Sequence, residues 1–171
     1  MFDFLVKWKI DSAFKKNRRN HTFRNLESME SILILFSYSD WKVIESIGRE
    51  LSSYRKKVVM WTVQPSQKAE GDNTIFPANV RIIHPKEISM IQIVSSSVLK
   101  EFGALTYDTL IDLTTTENKV FDYLLARNSS ECCIGISKTE YNAYDFVILR
   151  EDDMDLPETF NQIKNYLNNV R

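Results

Sequence analysis

The residues of this 171-residue chain whose types could do chemistry gather where apolar runs end. Asp112 is the most unusual of them, a carboxylate between Ile111 and Leu113 in an otherwise apolar stretch. A buried carboxylate must be paired or hydrogen-bonded. The amides and hydroxyls of the following turn, Thr114, Thr115 and Thr116, are the nearest donors. A second polar cluster, Ser37-Tyr38-Ser39-Asp40, follows the run Ile32–Phe36, and Thr62 to Gln64 closes a third run. Hydroxyls and amides at helix N-termini can hold an anion. They also cap helices with no ligand involved, and capping alone accounts for Ser39, Asp40 and the threonines. The candidate ligand-binding set is therefore Ser37, Ser39, Asp40, Asp112, Thr114 and Thr115.

Several chemistries are excluded by spacing. The four glycines, Gly48, Gly71, Gly103 and Gly135, each lie more than twenty residues from the next. That rules out the GxGxxG dinucleotide loop, the GxxxxGK[ST] phosphate loop and the GxSxG nucleophile elbow. Two histidines, His21 and His84, and the adjacent Cys132 and Cys133 make neither HExxH nor a CxxC zinc pattern. The acidic turn Glu151-Asp152-Asp153-Met154-Asp155 lacks the glycine and terminal glutamate of a calcium loop, and reads as solvated. No metal or cofactor is expected, and no catalytic set is recognisable.

The elements that must position these residues follow from periodicity. Solidly apolar runs at Ile32–Phe36, Val58–Val63, Val80–Ile83, Thr109–Leu113, Cys132–Ile136 and Asp145–Leu149 predict strands buried on both faces. Helices are predicted between them, from about Trp41 to Tyr54, Ile91 to Phe102, Glu117 to Asn128 and Pro157 to Val170. Gly103 suits the left-handed C′ position after the second of these, and the threonine turn suits the cap of the third. Alternating strands and helices predict an α/β fold with an open, mostly parallel sheet of five or six strands and helices on both faces. The alternation leaves strand order open between 3-2-1-4-5 and 2-1-3-4-5. Adjacent cysteines on a strand face opposite ways and are expected as buried thiols.

Residues 1–24 stand apart. They carry seven basic and two acidic side chains, a net +5, against −6 for the remainder. A basic helix is predicted from Phe2 to about Arg19, preceding a single domain over residues 25–171. Its apolar residues wrap more than half the wheel, so contact is expected on more than one side, with Phe4, Leu5, Trp8 and Phe14 as interface candidates. The longest apolar run is five residues, Ile32–Phe36, far short of a membrane span. Asp3, Lys7 and Lys9 interrupt any secretory leader, and no disulfide framework exists, so a cytoplasmic location is expected.

Taken whole, the chain resembles an uncharacterised bacterial family of short single-domain proteins, known only as a domain of unknown function. The likeness rests on the basic first helix, Ile32–Phe36, Tyr107–Leu113, Tyr123–Arg127, Ile134–Ile136 and Tyr144–Ile148. It implies a Rossmann-like fold and no particular activity. Residues 107–136 are also similar to the N-terminal half of heptosyltransferase-type GT-B glycosyltransferases. In those enzymes an apolar strand with an internal aspartate leads to a Leu-Ala-Arg helix and an Ile-Gly strand. That resemblance implies the half-domain fold. It argues against intact glycosyl transfer, because the donor-binding C-terminal domain has no counterpart in a chain of this length. Phe36–Asp40, with Trp61, looks like the opening of a TIR domain, and no catalytic glutamate is placed to match.

Three functions are expected from this reading. The first is a non-enzymatic interaction module that acts through a protein partner or self-associates by its N-terminal helix. The second is a small-molecule binder, for a nucleotide or phosphosugar, at the strand ends around Ser39 and Asp112–Thr115. The third is contact of the basic arm with nucleic acid or a membrane surface.

Overall fold

The computed structural model describes residues 2–67 and 70–169. Its centre is a six-stranded, all-parallel sheet in the order β3-β2-β1-β4-β5-β6. The strands are β1 (Ser31–Ser37), β2 (Lys57–Val63), β3 (Val80–Ile83), β4 (Thr109–Asp112), β5 (Cys132–Gly135) and β6 (Phe146–Val147). Among the described residues five α-helices flank them: α1 (Phe2–Lys16), α2 (Trp41–Ser53), α3 (Ser96–Gly103), α4 (Lys119–Ala126) and α5 (Leu156–Asn169). The strand order left open by periodicity is thus 3-2-1-4-5, extended by β6. Met60, Ile34, Ile111 and Ile134 stand side by side across β2, β1, β4 and β5.

The apolar runs are continuous because each strand feeds two cores. Leu33, Leu35, Trp61, Leu110 and Cys133 face α1, α3 and α4. Ile32, Ile34, Phe36, Met60, Ile111, Cys132 and Ile134 face α2 and α5. The two cysteines are free, buried, and on opposite faces, as strand alternation requires. Thr62 tolerates full burial because its hydroxyl donates to the Phe36 carbonyl at 2.7 Å.

Helix α1 lies against α4 and buries Val6 and Ile10. It ends at Lys16 rather than Arg19 because the next residue is tied elsewhere: Asn17 Nδ2 donates to the carbonyls of Ala126 and Asn128, each at 2.9 Å. Phe14, expected as an interface residue, stacks on Tyr141 of its own domain at 5.1 Å between ring centroids. Phe4, Leu5 and Trp8 point outward, 73%, 47% and 59% exposed. Three of the seven basic side chains of this segment pair with the acidic body: Lys7 with Glu140, Arg19 with Asp145 and Arg24 with Glu131.

Other boundaries also differ from the sequence reading. Helix α3 begins at Ser96, five residues late, because Ile88 and Val94 form an antiparallel bridge and Ser95 Oγ accepts from the Val98 amide. Gly103 is the last helical residue and does not take the left-handed conformation. Helix α4 begins at Lys119, capped by Asn118, whose Oδ1 accepts from the Val120 amide at 2.9 Å. The last strand is two residues long, Phe146–Val147, and beyond it the chain still runs along β5, with the Ile148 amide donating to the Gly135 carbonyl and the Arg150 amide to that of Ile136, each at 3.0 Å. Among the described residues, no helix is long and apolar enough to cross a membrane.

Candidate functional site

The carboxyl ends of β1 and β4 meet at the point where strand order reverses, the usual ligand position in an open α/β sheet. Here the two loops are bonded to each other. Ser37 is buried, and its Oγ accepts from the amides of Thr115 at 3.0 Å and Thr116 at 3.3 Å. It also shares a 3.0 Å hydrogen bond with Thr116 Oγ1. Thr115 Oγ1 donates to Asp40 Oδ2 at 2.5 Å. Asp40 makes no side-chain cap to α2, and neither the threonines nor Asp40 act as the caps expected of them. The physical reason is tertiary: the parallel register brings β1 and β4 together, so their polar ends satisfy each other before they satisfy their own helices. Ser39 stays exposed on the 3₁₀ turn.

Asp112 is fully buried and fully engaged. Its Oδ1 accepts from the Thr114 amide at 3.0 Å and its Oδ2 from Tyr144 Oη at 2.5 Å. Burial pushes its pKa up, and those two hydrogen bonds pull it back toward the ordinary range. Burial, then the neighbouring carboxylate, pushes the Tyr144 hydroxyl far above the tyrosine range, so Tyr144 remains a donor. The ring reaches Asp112 across Gly135, the residue opposite Asp112 in the β4–β5 register. A Cβ at Gly135 would lie 2.3 Å from Tyr144 Cε2, so only glycine admits this ring.

On the β5 side of β4 the loops stay apart. They enclose a cleft of about 680 Å³ with Asp112 and Tyr144 in its lining. One wall is the turn Thr114–Asn118 with the start of α4, and the other is the segment 136–141 after β5, with Arg150 beside it. Cavities of this size accept a metabolite. The cleft also contains Asp122, half-buried on α4, which burial pushes up to about 6, with Lys119 opposing and Asp112, Glu140 and Glu117 reinforcing the rise. Tyr141 Oη is buried there without a hydrogen bond of normal geometry. Burial and the adjacent Glu140 both raise its pKa.

Of the six predicted site residues, the structure brings Ser37, Asp40, Thr114, Thr115 and Asp112 to one end of the sheet. Only Asp112, Thr114 and Thr115 line the open cleft. Sequence reasoning missed Tyr144, Tyr141, Asp122, Lys119, Lys138 and Arg150. The one available signal was Gly135, a glycine inside a buried strand, which marks close approach by another group. His84 lies outside the cleft, bonded through Nδ1 to Gln64 at 2.9 Å, and His21 is 2.5 Å from Asp145. Among the described residues no cluster of His, Cys, Asp or Glu could hold a metal ion.

An all-parallel sheet of this order with helices on both faces defines a Rossmann-like α/β domain. More narrowly, the chain belongs to a family of unknown function, DUF6913, whose model matches residues 3–170. No curated protein matches it.

Proposed function

We propose that this protein is a binding module for a small polar molecule, held in the cleft between the ends of β4 and β5. The observation that carries this reading is a metabolite-sized cleft lined by Asp122 and by Tyr141 Oη, a buried oxygen without a hydrogen bond of normal geometry, beside a switch point whose own polar groups are mutually engaged. Asp112 and Tyr144 line it, Gly135 leaves room for the Tyr144 ring, and the role of the three is to hold the lining in place. The test is a thermal-shift screen of polar metabolites on the full chain, repeated with Asp122→Asn and Ser37→Ala. A stabilising ligand should lose its effect in Asp122→Asn and keep it in Ser37→Ala. The reverse pattern would move the site to the β1–β4 junction.

A second reading, self-association through α1, is favoured by the outward Phe4, Leu5 and Trp8, which lie on one face of the helix at spacings of one, three and four. Light scattering on the full chain and on Trp8→Glu tests it. A dimer converted to monomer by the substitution supports it, and a wild-type monomer at high concentration ends it.

A further inference from the structure

The cleft is chemically divided. Asp112, Asp122, Tyr141 and Tyr144 lie buried or half-buried inside it, whereas Lys138 and Arg150 are exposed at its rim together with Glu117 and Glu140, and Lys119 is half-exposed on the α4 wall. Among the described residues none of these three cations forms an ion pair or a hydrogen bond through its side chain. They come from three separate segments: the first residue of α4, the loop after β5, and the chain after β6. Tyr141 Oη, the buried oxygen without a well-formed partner, can both donate and accept. The Asp122 carboxylate only accepts when ionised.

A ligand that completes this set must present groups that donate to a carboxylate and also exchange hydrogen bonds with a phenol. Hydroxyls do both, and an ammonium does only the first. A bare anion does not suit the interior, which already holds carboxylates. The rim is different: of its two carboxylates, Glu140 is already paired with Lys7, and three cations without an ion pair there match a dianion with several terminal oxygens. We propose that the cleft takes a phosphorylated polyol, with its hydroxyls turned inward to Asp122 and Tyr141 and its phosphate held by Lys119, Lys138 and Arg150. This rests on the cleft being the binding site at all.

The test is calorimetric titration of the full chain with glucose 6-phosphate, glucose, inorganic phosphate and phenyl phosphate, with amide spectra recorded alongside. Glucose 6-phosphate is expected to bind at least about tenfold more tightly than glucose or inorganic phosphate, because only it engages both halves of the cleft. Asp122→Asn and Tyr141→Phe should each weaken glucose 6-phosphate by roughly five- to tenfold and leave inorganic phosphate unchanged. Lys138→Ala should weaken all three phosphate-bearing probes and leave glucose unchanged. If inorganic phosphate or phenyl phosphate binds as tightly as glucose 6-phosphate and shifts the amides of residues 112–122 and 136–144, the ligand class is wrong and the cleft remains the site. If no probe moves those amides, both the class and the site are overturned.

Discussion

The two crevices beside β4 are lined by similar residues and end in opposite states. On the β1 side, Ser37, Asp40, Thr115 and Thr116 engage one another, and the loops are bonded shut. On the β5 side, Tyr144 crosses Gly135 to reach Asp112, the walls stand apart, and Tyr141 and Asp122 face the gap. Hydroxyls and carboxylates at a strand switch point therefore do not define a binding site by their presence. What matters is whether the fold satisfies them internally. The difference originates in the strands themselves: β1 ends in small polar residues that reach the threonine turn directly. The β5 end carries a glycine that yields its space to an aromatic ring.

The strongest way to break the open side is Gly135→Ala. The added methyl would collide with the Tyr144 ring at 2.3 Å, and displacing the ring strips Asp112 of one of its two donors. Overpacking and an unsatisfied buried carboxylate together should cost about 3 kcal/mol or more in urea denaturation. In a Tyr144→Ala background the same glycine substitution should cost much less, with a coupling of about 1–3 kcal/mol. Additive costs would show that the ring does not depend on the missing Cβ.

Tyr144→Phe isolates the hydrogen bond and keeps the ring. It should destabilise by about 1–3 kcal/mol, since a buried acceptor loses its donor. The effect carries a sign in pH. Burial already raises the Asp112 pKa, and the Tyr144 bond opposes that rise. Without the bond the folded state holds the Asp112 proton more tightly, and stability falls more steeply as pH rises. The penalty should thus be larger at pH 8 than at pH 5, and a pH-independent penalty would mean that Asp112 is not the partner at issue.

Much of the fold was legible because burial on both faces writes itself as an unbroken apolar run. Ile32–Phe36 reads as a central strand for that reason, and Cys132-Cys133 reads as two opposed thiols. The helix starts were less legible. Thr114–Thr116 are competent caps, and only the β1–β4 register, which no local pattern encodes, reassigns them to Ser37 and Asp40. The contact of Phe14 with Tyr141 and that of Tyr144 with Asp112 join segments far apart in the chain, so a helical wheel shows Phe14 only as apolar. Asp112 announced itself as a polar residue in an apolar strand. Its partner did not, because a tyrosine in a loop has no periodicity to violate.

Ser37→Ala tests the closed side. It removes the acceptor of the Thr115 and Thr116 amides and should cost about 1–2 kcal/mol of stability. If the junction is structural, ligand affinity in the cleft stays unchanged. A variant of normal stability that loses affinity would reverse the roles of the two crevices.

The smallest effect, Asp122→Asn, is the most informative about the open side, because it should raise stability while lowering affinity. Burial lifts the Asp122 pKa from the ordinary carboxylate range to about 6, and Lys119 only partly offsets that lift against Asp112, Glu140 and Glu117. The folded state therefore binds this proton more tightly than the unfolded chain. The carboxyl costs nothing below about pH 4, becomes destabilising between about pH 4 and pH 6, and stays so above. An amide carries no charge to desolvate, so the variant should match the wild type near pH 4. At pH 7.5 it should be more stable, by no more than about 1 kcal/mol because the group faces an open cleft and is screened. Melting temperatures at the two pH values check this. A gain confined to the higher pH, together with weaker ligand binding, marks a charge kept at some cost to the fold for the sake of binding. An equal shift at both pH values would mean that the carboxyl is not desolvated, and the interior of the cleft would then be as wet as the surface around it.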